Sequence, residues 1–113
     1  MKELNFSLER KEVPVILDGK NYKLKELTGK QRDLFLDNIG KRVNFVAGKA
    51  AGMKNYKGLQ SFLVSLCLCD ENNEPVTEDT IQDYPASAQS SLFKAAQELN
   101  GLNDEAEAEA KNE

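Results

Sequence analysis

Asp18-Gly19 stands between two runs in which apolar and polar residues alternate, Val13, Val15 and Leu17 before it and Tyr22 and Leu24 after it. Both central residues of a two-residue hairpin turn need positive φ. Asp tolerates this and Gly adopts it freely. A two-residue turn pairs Leu17 with Lys20, Val15 with Tyr22 and Val13 with Leu24, so register and apolar pattern agree on one buried face. Pro14 lacks an amide donor, which predicts that its strand lies at a sheet edge. Leu4, Phe6 and Leu8 also alternate, and they predict a further short strand ahead of the hairpin.

Beyond the hairpin the apolar period changes from two to that of a helix. Thr28 followed by Gln31 makes a capping box. Phe35, Leu36, Ile39, Val43 and Val46 then predict a helix over about residues 29–46. The segment Ala47–Lys57 carries Gly48, Gly52, Lys49 and Lys54 and reads as a flexible basic connector. Leu59, Phe62, Leu63 and Leu66, with Val64, Cys67, Leu68 and Cys69, make the next element apolar nearly all round. It is the expected central core helix. Asp70 to Pro75 supplies turn formers. Thr77 predicts an N-cap, with Glu78 and Asp79 at the positive end of the helix dipole. Pro85 opens a last helix whose stripe is Ala88, Leu92, Ala95, Ala96 and Leu99. Asn100-Gly101 predicts a left-handed stop, closed by Leu102. The fold class is therefore α+β: a small N-terminal antiparallel hairpin or sheet, then a three- to four-helix bundle. Residues 1–102 form one domain, and residues 103–113 read as a disordered acidic tail.

The residue inventory removes most chemistry. Of 113 residues none is His, which excludes Ser-His-Asp and Cys-His nucleophilic sites and the commonest zinc ligand. Cys67 and Cys69 are too close for an unstrained bridge and too few for a tetrahedral metal site, so they read as reduced core thiols. Asp70-x-Asn72-x-Glu74 begins like a calcium loop, but Pro75 and Ile81 occupy the positions where such a loop needs Gly and Glu. Gly29-Lys30, Gly40-Lys41 and Gly48-Lys49 echo a phosphate loop without its earlier Gly or its following hydroxyl. No catalytic residue, cofactor or metal is expected. No apolar stretch is long enough to span a bilayer, and residues 1–10 show no signal-peptide pattern. The chain reads as a cytoplasmic binding protein, not an enzyme.

Charge is distributed unevenly. Residues 1–60 hold 13 basic and 7 acidic groups, a net +6; residues 61–113 hold 2 basic and 12 acidic groups, a net −10. Residues 103–113 account for −4 of this, and the +6 against −6 that remains within residues 1–102 could drive head-to-tail self-association. The basic connector, residues 41–57, interleaves Lys49, Lys54 and Lys57 with Phe45 and Tyr56, a composition that could contact phosphates and bases. The acidic total argues instead for a solvated loop or an acidic protein partner.

Residues 58–102 resemble the tail assembly chaperones of long-tailed bacteriophages and prophages. The matched places are the helix ending Leu66-Cys67-Leu68 before a polar turn at Asp70, the entry Pro75-Val76-Thr77 into an acidic helix, and the last helix with Leu92-Phe93 and Glu98-Leu99-Asn100-Gly101-Leu102. The hairpin around Asp18-Gly19 and the stretch Leu27-Thr28-Gly29-Lys30-Gln31-Arg32 extend the resemblance to residues 13–102. It implies a non-enzymatic assembly factor in the cytoplasm of the host bacterium, absent from the mature virion. Such a factor keeps the tape measure protein soluble and, through a frameshifted long form, recruits tail tube protein. An amphipathic partner helix would lie against apolar residues spared by the core. Phe35, Phe45, Tyr56, Phe62 and Phe93 are the candidates, with Lys49, Lys54 and Lys57 beside them. Two other readings stay open: a virion structural or head–tail connector component, and a small nucleic-acid-binding regulator using residues 41–57.

Overall fold

The computed structural model describes residues 3–46, 49–53 and 58–102, the side chains of 43–46 and 49–53 excepted. Its elements run β1 (Glu12–Leu17), β2 (Lys20–Lys25), α1 (Gly29–Arg42), β3 (Val43–Val46), β4 (Lys49–Met53), α2 (Leu59–Cys67), β5 (Leu68–Cys69), α3 (Glu78–Gln82) and α4 (Ala86–Asn100). This is the α+β class that the sequence predicts.

The first hairpin has the expected register: Leu17 faces Lys20, Val15 faces Tyr22 and Val13 faces Leu24. Asp18 at φ 51° and Gly19 at φ 77° make the turn. Alternation along a ladder closed by a two-residue turn puts the Pro14–Lys23 pair at a non-hydrogen-bonded position. The nitrogen of Pro14 therefore faces the open edge of the sheet, where a donor would otherwise be exposed for another strand to pair with. The sheet order is β1-β2-β5, so β1 is an edge as predicted.

The third strand is not Leu4–Leu8. It is Leu68–Cys69, which pairs antiparallel to β2 with Leu24 opposite Leu68, both fully buried. Its outer side is covered by the returning chain, through the Cys69–Pro75 bridge and the Val76 N–H bonded to Leu68 O at 3.0 Å. Residues 3–9 form no strand. The chain is tied down only from Arg10 on, where Arg10 donates through Nε to Glu26 O and through Nη2 to Gln31 Oε1. The Glu26 N–H then continues the hairpin ladder to Lys11 O at 2.7 Å. Leu4, Phe6 and Leu8 alternate, but no neighbouring strand offers them a face to cover.

Thr28 and Gln31 close the predicted capping box reciprocally, at 3.2 Å from the Gln31 N–H to Thr28 Oγ1 and 3.0 Å from the Thr28 N–H to Gln31 Oε1. The helix that follows ends at Arg42, four residues short of the expected 46. Lys41 and Arg42 suit its negative end, and Val43, Phe45 and Val46 are strand formers that take up β3 instead. The segment read as a flexible connector contains β4, paired with β3 as Val46 to Lys49, Phe45 to Ala50 and Val43 to Met53. Gly58 at φ 80° turns the chain into α2.

The short helix α2 is the centre of the core. Leu59, Leu63, Val64 and Cys67 are buried on it, and Phe35, Ile39, Leu24, Leu68, Ile81, Leu92, Ala96 and Leu102 close around them. Each fully buried Leu, Ile or Phe stabilises by about 1.5–3 kcal/mol. Ser61 is the buried polar side chain among the described residues. Its hydroxyl lies 3.2 Å from Gly58 O and accepts from Gln82 Nε2 at 3.2 Å, which fastens α2 to α3. Thr77 caps α3 by accepting from the Thr80 N–H at 3.3 Å. Gly101 takes φ 64° past α4, and the Leu102 N–H returns to Gln97 O at 2.9 Å with the Leu102 side chain fully buried. Asn100 adds a long-range tie, accepting from the Leu27 N–H at 2.8 Å and donating to Ala96 O at 2.9 Å.

Candidate functional site

The core accounts for several of the side chains that the sequence offers to a partner. Phe35 has no exposed surface and stacks on Phe62, with ring centroids 6.4 Å apart and planes at 30°. It fills the space between α1 and α2 and cannot reach a partner. Phe62 and Phe93 are half-buried against the same core. Phe45 and Lys49 lie on β3 and β4, where the structure describes the backbone alone; Lys54, Tyr56 and Lys57 lie outside the described residues.

Chemistry by the thiols or the acidic loop finds no support. Burial pushes the Cys67 thiol up to about 11, over smaller lowering effects of the Asn100 hydrogen bond and of Arg10. At neutral pH it is a protonated core group with little nucleophile character. Asp70 Oδ1 accepts from the Asn72 N–H at 2.8 Å and the Glu74 N–H at 3.0 Å, so it shapes its own turn. Among the described residues no group of His, Cys, Asp and Glu could hold a metal ion, and no helix is long and apolar enough to cross a membrane.

What remains is surface. Phe6 is 81% exposed and Leu8 99%, with Leu4 close behind. Ile16, 70% exposed, projects from the outer face of the hairpin, and Leu34 is half-exposed on α1. These are large apolar side chains that packing leaves uncovered among the described residues. Ile16 also borders a cleft of about 310 Å³ between the hairpin tip and the start of α4, floored by Leu17, Tyr22, Tyr84, Pro85 and Ala88. A second cleft of about 180 Å³, lined by Asn21, Asp70, Glu71 and Asn72, adjoins it and shares Lys20 and Tyr22 with the first. Burial, and next the Tyr22 phenol beside it, raise the Tyr84 hydroxyl above the usual range, so it is a neutral donor at physiological pH. Sequence reading missed this trough because its walls come from distant segments.

The residues thus define a small α+β domain with open apolar surface and no catalytic constellation among those described. No protein-family model matches the chain, and no curated protein does. A solved structure does: that of the bacteriophage HK97 tail assembly chaperone, with a TM-score of 0.55 and 20% sequence identity. The match covers 80% of this chain and 85% of that one. The chain therefore has the fold of a phage tail assembly chaperone, and the protein it resembles is a chaperone rather than an enzyme.

Proposed function

We propose that this chain is a tail assembly chaperone of a long-tailed phage or prophage that binds the tape measure protein and holds it soluble while the tail tube assembles. The observation that carries the reading is the fold likeness to the HK97 protein over four-fifths of the chain. The physical logic agrees with it. A long chain with apolar helical stripes aggregates unless the stripes are covered, and this domain leaves Leu4, Phe6, Leu8 and Ile16 open to cover them. A single small domain covers only a short stretch of such a chain, so the binder acts in many copies. It is released as tube subunits replace it, and it is absent from the finished particle.

Co-expression tests the reading. The tape measure protein of the same genome should move from the insoluble to the soluble fraction when this chain is present, and should co-purify with it. A partner equally insoluble with and without the chain refutes the proposal. Mass spectrometry of purified particles separates a chaperone from a virion component, because only the latter stays.

A further inference from the structure

We propose that the trough between the hairpin tip, α4 and the Asp70 turn docks a basic amphipathic segment, with aliphatic side chains along one side and Lys or Arg at its margins. The inference rests on the reading above and names the chemistry of the stretch that is bound. Two clefts lie side by side, with Lys20 and Tyr22 lining both, so a ligand that fills the pair is a length of chain rather than a small molecule. Its apolar part is built from Leu17, Tyr22, Tyr84 and Ala88, with Ile16 standing exposed at the edge. The charged groups on its walls are Asp18, Asp70 and Glu71 against Lys20 alone. An acidic segment would meet three carboxylates, whereas a basic one gains their attraction.

The sign of the charge follows from that count, and its size from exposed pairs worth about 0.2–1 kcal/mol each. Turning two or three such pairs from attraction to repulsion amounts to on the order of tenfold in affinity. The test uses the full chain and two synthetic helical peptides of about 20 residues, about 30 Å long. They share one Leu stripe and carry either Lys or Glu at its margins. Fluorescence anisotropy should show the Lys peptide binding about tenfold tighter. Ala88→Arg, which fills the trough from a half-buried helix position, should weaken that binding about tenfold or more. Glu71→Lys, in the exposed turn, should narrow the preference between the peptides. It decides the matter if Ala88→Arg fails to fold. Equal binding of the two peptides, no binding of either, or a folded Ala88→Arg chain with unchanged affinity overturns the proposal. Co-expression separates this from the functional reading. Should Ala88→Arg still solubilise the tape measure protein as well as the native chain does, the trough is excluded and the chaperone stands. Should the native chain fail to solubilise it, the chaperone reading itself falls.

Discussion

Asn100→Ala removes one side chain that serves three groups. Its Oδ1 accepts the Leu27 N–H at 2.8 Å; its Nδ2 donates to Ala96 O at 2.9 Å and lies 3.7 Å from Cys67 Sγ. Ala96 O and the sulfur lose little, because a helix carbonyl and a thiol have other or weaker demands. The Leu27 amide loses its acceptor, and Leu27 is only 8% exposed. An unsatisfied donor at such a site costs about 1–3 kcal/mol. Ala is the better helix former at position 100 by up to about 0.7 kcal/mol, which offsets part of the loss. The expected net destabilisation is about 1–2 kcal/mol, or a fall in Tm of roughly 5–15 °C for a domain of this size. Urea unfolding followed by circular dichroism measures it, with an unchanged m-value showing that the two states keep their surface. Amide exchange adds a local readout: the Leu27 amide should lose protection while the amides of α2 keep theirs relative to global stability. Asn100→Asp keeps the acceptor and should retain Leu27 protection, although its charge sits at the unfavourable end of α4. If Asn100→Ala unfolds within about 0.5 kcal/mol of the native chain and Leu27 stays protected, the tie between α4 and the hairpin exit contributes nothing, and the argument is wrong.

Three further perturbations follow from the same geometry. The thiol of Cys67 titrates near 11 when folded against 9.0 when unfolded, so the folded state holds the proton more tightly. Stability should then be intact below pH 9 and fall by up to about 2–3 kcal/mol towards pH 11, a slope reduced in Cys67→Ala and read from urea titrations at stepped pH. Phe35→Ala should cost about 3–5 kcal/mol and Phe6→Ser less than about 0.5, a contrast checked by thermal melts; comparable losses would contradict the division between core and open surface. Pro14→Val restores a donor on the open edge of β1. It should leave monomer stability within about 1 kcal/mol while sedimentation velocity shows new concentration-dependent association. Unchanged sedimentation at high concentration would show that Pro14 does not guard the edge.

The local parts of the fold could be read from the chain because their signals are complete within a few residues. Asp18-Gly19 fixes a turn, Thr28 with Gln31 a helix start, and Asn100-Gly101-Leu102 a helix stop; each stands where expected. The misreadings share one cause, which is dependence on distant partners. Leu68 and Cys69 continue an apolar helical run, and periodicity cannot distinguish a buried helix end from a two-residue strand paired to β2. Leu4, Phe6 and Leu8 have a strand's pattern but no strand beside them. Val43 to Val46 fit a helix stripe, yet the strand preference of β-branched and aromatic residues prevails once β4 is available to pair. The candidate surface was harder still. The sequence marks which residues are aromatic, whereas packing decides that Phe35 is interior and that Tyr22 and Tyr84 line a trough.

The bond from Leu27 to Asn100 spans 73 residues of the chain. At a synthesis rate of about 5–20 residues per second, roughly 4–15 s separate the appearance of its two ends. A hairpin forms in about 1–10 μs, so the β1–β2 unit is complete long before α4 exists. During those seconds α2 and β5 can already cover part of Leu24 and Phe35, but Leu92, Ala96 and Leu102 are missing from the core, and the growing chain is itself an exposed client for whatever chaperone the cell offers.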